Sequence, residues 1–132
     1  MAALLATAML GAETTDYMAA RNRAEKLSIP LVVLVGADWC QACQVMKNKV
    51  LPEIAAEGWF RHAAYGTINV DKEPKLAAKL VKPGDAIPQL IFFYKKDGKW
   101  LARRAVGAQS VKNTKLFIAD GLLAHGYRVQ RD

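Results

Sequence analysis

Cysteine is scarce: two residues in a chain of 132, too few for the disulfide framework that holds small secreted domains together. Histidine is equally rare. His62 and His125 stand far apart without the paired spacing of zinc motifs, which argues against a structural metal centre. His62 reads as a loop residue, and His125 as a residue near a helix end that meets its last carbonyls. No apolar run reaches the roughly 18 residues of a membrane span, and no internal repeat or low-complexity segment occurs. Acidic residues are the minority charge, with 12 Asp and Glu against 19 Lys and Arg.

What is present describes one folded domain. The apolar fraction is 52% and the charged fraction 23%, ordinary values that exclude a disordered chain, and the length suffices for a single core. The net charge of +7 sits mostly late in the chain, where residues 95–132 hold nine Lys and Arg against three Asp and Glu. Such an excess reads either as a basic face for acidic partners or anionic lipid, or as a solvated hairpin and helix surface. Residues 1–13 form an apolar lead into a domain over 14–132. Met1 to Ala12 resembles the apolar part and small-residue end of an export signal, but no Lys or Arg precedes it. A shortened signal or an extra packed helix are the two expectations, and on them the compartment stays open, with the cell envelope favoured over the cytoplasm.

Both cysteines fall in Gly36-Ala37-Asp38-Trp39-Cys40-Gln41-Ala42-Cys43, where an apolar run gives way to a helical pattern. A Cys-x-x-Cys between strand and helix marks a redox site, a metal clip or an inert disulfide. Around it the chain alternates. Thr14-Thr15-Asp16 supplies N-cap residues, followed by a helix with Tyr17, Ala20, Ala24 and Leu27 on one face, ended by Ser28-Ile29-Pro30. Leu31 to Val35 is a strand without polar alternation, as expected when helices cover both faces. A helix runs from Cys40, with a break near Leu51 and a second piece from Pro52 to Glu57. Then come a strand over 63–70, a helix over 73–81 with Leu76, Ala77 and Leu80 inward, and a strand over 89–94. Lys96-Asp97-Gly98-Lys99 turns the chain into a strand over 100–106. Ser110 caps a last helix whose inward side is Leu116, Ile118, Leu122 and Leu123, with Gly121 a weak point and Gly126 the C-cap. Helical crossovers between early strands and a late hairpin call for a mixed sheet of about four strands flanked by helices, an α/β fold.

That order resembles the thioredoxin superfamily. Four features carry the resemblance: Trp39-Cys40-Gln41-Ala42-Cys43, Ile68-Asn69-Val70-Asp71, Ile87-Pro88 before an apolar strand, and Asp97-Gly98 followed by Gly107. The match spans roughly residues 16–124. The first helix and Met46-x-x-x-Val50-Leu51 are more similar to the thioredoxin-like proteins of bacterial envelope disulfide chemistry. The resemblance implies a cis Pro88, with Trp39, Ile87 and Pro88 contacting a substrate peptide strand. It implies disulfide- or dithiol-bearing proteins and a reducing protein as partners, no nucleic acid, a monomer, and no cofactor beyond the Cys40–Cys43 disulfide. The sequence also departs from the family. Leu34 stands where thioredoxins hold a buried Asp, and Thr67 where its Lys partner would be. Gln41 and Ala42 replace glycine and proline between the cysteines. Asp38 is a stand-in for the missing acid or else a solvated turn residue.

The chemistry follows from position. Two residues three apart on a helix bring their Cα atoms to about 5–6 Å, within disulfide range. Cys40, opening the helix, meets free N–H groups and the positive end of the dipole, which lower a thiol pKa. A fall from about 8.5 to about 7 raises the thiolate fraction at neutrality from about 3% to about 50%. Lower basicity weakens each thiolate about fivefold, leaving about a threefold gain in attack. The larger benefit is that Cys40 leaves readily when Cys43 displaces it. Cys40 is therefore the expected nucleophile and Cys43 the resolving thiol, with Trp39 either a flat shelter or a partly buried core aromatic. The expected activity is reduction of protein disulfides. The rival is a non-catalytic module that holds an extended peptide near Pro88 and keeps the disulfide for structure.

Overall fold

The computed structural model describes residues 16–127, so the expectations for residues 1–13 and for Thr14 and Thr15 lie outside the described residues. Helix α1, Tyr17–Leu27, starts where the Asp16 carboxylate accepts from the Ala19 N–H at 3.1 Å and ends at Ser28 in the left-handed region. Tyr17, Ala20 and Ala24 are buried as their spacing predicts, but Leu27 is 53% exposed at the last turn. Strand β1, Leu31–Gly36, is buried throughout.

The next helix runs without the expected break. Helix α2, Gln41–Val45, passes into a π-helical turn over Met46–Val50 and then α3, Leu51–Ala56. The Leu51 N–H reaches back five residues to the Met46 carbonyl. This wider turn gives the Pro52 ring room against the preceding carbonyls, the clash that would otherwise kink the chain. A 3₁₀ turn at Trp59–Arg61 leads to β2, Ala64–Asn69. Helix α4, Pro74–Leu80, buries Ala77, with Leu76 and Leu80 packed at the margin.

Strands β3, Gln89–Lys96, and β4, Lys99–Val106, form the hairpin, turning through Asp97 and Gly98, both at positive φ. Helix α5, Val111–His125, begins with Ser110 Oγ accepting from the Asn113 N–H at 3.0 Å and closes at left-handed Gly126. The sheet order is β2-β1-β3-β4, parallel between β1 and β2 and antiparallel elsewhere. This is the mixed α/β sheet the sequence predicts.

Each face of the sheet has its own core. Val33, Val35 and Ile91 pack with Tyr17, Ala20 and Ala24 of α1 and Ala77 of α4. Val32, Leu34, Leu90 and Phe92 pack with Met46, Leu51 and Ile54, and with Ile118 and Leu122 of α5. Coverage on both sides is why β1 reads as an unbroken apolar run. Helix α5 corrects the sequence reading in two places. Leu116 and Leu123 are 54% and 63% exposed, because Thr114, Ile118, Gly121 and Leu122 form the inward stripe. Gly121 is a site of close approach: a Cβ there would lie 2.5 Å from the Phe92 ring. His125 also differs. It bonds not to its own helix carbonyls but to two other elements, with Nδ1 accepting from the Lys95 N–H at 3.0 Å and Nε2 3.1 Å from the Ser28 carbonyl. His62 stays in the connection after the 3₁₀ turn, its ring 4.6 Å from that of Tyr127.

Candidate functional site: the Cys40–Cys43 disulfide

At the C-terminal end of β1 the chain turns through Ala37, Asp38 and Trp39 and enters α2. Cys40 is the N-cap and Cys43 lies one turn inside, joined by a disulfide with Cα atoms 5.1 Å apart. Cys40 Sγ accepts from the Cys43 N–H at 3.2 Å. A sulfur in that place takes up one of the otherwise free donors of the helix start, the position that favours a thiolate when the pair is reduced. Both cysteines are largely buried, Cys40 at 8% and Cys43 at 3% exposure.

The peptide bond between Ile87 and Pro88 is cis. Ile87 packs against the small apolar cluster of Ala37, Cys40 and Cys43, and its carbonyl oxygen lies 4.0 Å from Cys40 Sγ. Pro88 itself is buried, so of this dipeptide Ile87 is the part that borders the surface. Gln41 is exposed on the first helical turn, while Ala42 packs against the disulfide cluster.

Trp39 is 72% exposed, which removes the core-aromatic reading. Its indole Nε1 donates to Asp71 Oδ2 at 2.8 Å. Asp38, also exposed, accepts from Asn69 Nδ2 at 3.0 Å and pairs with Lys72 Nζ at 3.2 Å. Asn69 Oδ1 in turn accepts from the Asp71 and Lys72 N–H groups. The turn ahead of Cys40 is thus tied to the segment after β2, and Asp38 is a paired residue rather than a freely solvated one.

Several supporting residues carry no local mark of their role in the sequence. Gly36 is one: a Cβ there would lie 2.9 Å from Cys43 Cβ and 3.0 Å from its Sγ, so bare backbone is needed under the second cysteine. Gln44 is another, its Nε2 donating to the Ala37 and Asp38 carbonyls at 3.3 Å each. Asn69 and Asp71 stand in the Ile68-Asn69-Val70-Asp71 motif, but their partners across the turn, Asp38 and Trp39, lie more than thirty positions away and only the fold reveals them.

Behind Cys43 is a cavity of about 30 Å³ bordered by Leu34, Gly36, Asp38, Lys47, Thr67 and Asn69. That is room for a single water molecule. Leu34 and Thr67 are register partners on β1 and β2, so the positions where the family resemblance calls for an acid and a lysine do meet beside the disulfide. They hold an aliphatic side chain and a hydroxyl. Among the described residues no group of three or more His, Cys, Asp and Glu could hold a metal ion, and no helix is long and apolar enough to cross a membrane.

No family model matches the chain, and no curated protein matches it by sequence. Solved structures do match. A thioredoxin from Thermus thermophilus superposes with a TM-score of 0.71 at 20% identity, covering 86% of this chain and 89% of that one. A thioredoxin from Trichomonas vaginalis gives 0.60 at 27% identity over 81% and 92%, and one from Nicotiana alata 0.59 at 25% over 76% and 79%. With its mixed four-stranded sheet, flanking helices and Cys-x-x-Cys pair at a helix start, the chain has the thioredoxin fold and a thioredoxin-like dithiol motif.

Proposed function

We propose that the chain is a thiol–disulfide oxidoreductase that reduces disulfides in partner proteins. The observation that carries this reading is the placement of Cys40 as N-cap of the helix, its sulfur accepting the Cys43 N–H and standing beside the Ile87 carbonyl at a cis proline.

The cycle starts from the reduced pair. The Cys40 thiolate attacks one sulfur of a partner disulfide, a Cys40–partner disulfide forms, and the second partner sulfur leaves as a thiolate. Cys43, losing its proton, then attacks Cys40 Sγ. The mixed disulfide breaks and the partner departs with both thiols after taking up protons. Two electrons have passed to the partner, and the chain is left with a Cys40–Cys43 disulfide. A dithiol reductant, small or protein, restores it. Exposed Trp39, together with the Ile87 backbone, forms the surface over which an extended partner segment lies, while Gln41 and Ala42 border the sulfurs. Gln41 and Ala42 introduce no charge between the cysteines and so push the pair strongly toward neither oxidant nor reductant.

One observation favours a second reading. Leu34 beside Cys43 provides no carboxylate to take the resolving proton, as would suit a peptide-binding module with a structural disulfide. Insulin reduction with dithiothreitol separates the two. The reductase reading expects turnover that Cys40→Ser abolishes and a stable partner adduct in Cys43→Ser. Turnover no higher than that of Cys40→Ser, with no adduct trapped, overturns it in favour of the binding module.

A further inference from the structure

The tip of the β3–β4 hairpin has no part in the dithiol chemistry. The sulfurs lie beyond the Gly36 end of β1, whereas the tip lies past the Leu31 end, where Leu31 pairs with Phe93. The eight residues of β3 separate the two ends by about 23 Å.

Residues 95–102 are exposed without interruption. Within this run Lys95, Lys96 and Lys99 face a single acid, Asp97, and among the described residues none of the three forms an ion pair. Trp100 and Leu101 are exposed there at 40% and 43%, the large apolar side chains of the run. The hairpin register divides them. Lys95 pairs with Trp100, its Nζ 5.5 Å from the indole centroid, while Tyr94 pairs with Leu101 and Lys96 with Lys99. Side chains alternate along a strand, so Lys95 and Trp100 occupy one face of the ribbon and Tyr94, Leu101, Lys96 and Lys99 the other. Each face therefore combines an apolar or aromatic body with ammonium groups.

We propose that this hairpin tip is a docking site for an anionic lipid surface. A peptide paired to the open edge of β4 would lie beside Lys99, Trp100 and Leu101 and a full strand away from Lys95 and Lys96 on β3. A headgroup layer surrounds a tip dipped into it and engages both faces together. Lysines then meet lipid phosphates, while Trp100 and Leu101 settle at the boundary with the acyl chains. Docking at this pole leaves the disulfide facing away from the surface and open to soluble partners.

The test uses the full chain and vesicles of phosphatidylcholine, alone or with about one-third phosphatidylglycerol, followed by co-sedimentation and tryptophan emission. Binding is expected only to the mixed vesicles, falling steeply as salt rises. A blue shift in emission should accompany it and be absent in Trp100→Phe, which retains Trp39 and Trp59. Lys95→Gln/Lys96→Gln/Lys99→Gln should weaken binding about 100-fold. The charge-matched Lys75→Gln/Lys79→Gln/Lys112→Gln, on exposed positions of α4 and α5, should change it far less. Equal losses in the two triple variants, or a blue shift that persists in Trp100→Phe, overturn the proposal and leave general attraction to a basic protein. Binding to poly-glutamate but not to the mixed vesicles overturns it in favour of an acidic peptide partner.

Discussion

Leu34 and Thr67 are partners in the β1–β2 register, and both border the water-sized cavity that backs Cys43. An acid at the first position would border the same cavity as the resolving sulfur. The aliphatic side chain leaves that sulfur to lose its proton to water or to Asp38, the carboxylate that borders the same cavity.

Leu34→Asp restores a carboxyl at this place. Burial holds such a group above the usual carboxylate range, suiting it to accept a proton near neutrality. The expected result is a changed pH–rate profile for the resolving step, accompanied by a stability loss of about 2–4 kcal/mol from an acid in an apolar site. Stopped-flow fluorescence across pH measures the first and denaturant unfolding the second. An unaltered profile would show that this position does not communicate with Cys43.

Gly121 is a packing requirement. An added methyl would press on the Phe92 ring from 2.5 Å, and Phe92 is fully buried. Overpacking of this kind costs about 1–3 kcal/mol, whereas the better helix propensity of alanine returns about 1 kcal/mol. Packing wins, so Gly121→Ala is expected to lower the thermal midpoint. A midpoint unchanged or raised would mean that the helix can shift away from β3 at little cost.

Tyr65 has a different liability. Its ring stacks on Phe60 with centroids 4.8 Å apart, but its buried hydroxyl finds no hydrogen-bond partner among the described residues. Burial pushes its phenol pKa well above the ordinary 10.0. Tyr65→Phe keeps the ring and removes the unsatisfied group, so it should be neutral or stabilising by about 1 kcal/mol. The unfolded chain ionises first, near 10.0, while the folded phenol stays neutral. This group therefore leaves stability independent of pH below that value and lowers it as pH rises above it, because the folded chain cannot ionise the phenol as the unfolded one does. The variant should lose stability less steeply there, as urea unfolding at neutral and alkaline pH would reveal. A clear destabilisation at neutral pH would contradict this.

Much of the fold was legible because its signals are local. Leu31 to Val35 reads as a central strand because no polar residue interrupts it, and Asp97-Gly98 supplies the turn that the hairpin needs. Ser110 and Gly126 bracket the last helix as their chemistry predicts. The dithiol turn was equally plain, since both cysteines of the chain occur there. Tertiary choices were not local. Apolar residues lie on more than one face of α5, and the approach to Phe92 at Gly121 decides that Ile118 and Leu122 face inward while Leu116 and Leu123 face out. Pro52 predicts a break, but a π turn several residues upstream absorbs it. The partners of Trp39 and His125 belong to distant segments, Asp71 for one, Lys95 and Ser28 for the other, and neither side chain announces them.

The most direct test is the ionisation of Cys40 in the reduced protein, followed by the pH dependence of iodoacetamide alkylation with Cys43→Ser as the single-thiol form. The helix-start position predicts a midpoint clearly below the roughly 8.5 of a free thiol, with fast modification at neutral pH. A sulfur that stays protonated well above neutrality and resists alkylation would leave a folded scaffold without the proposed exchange chemistry.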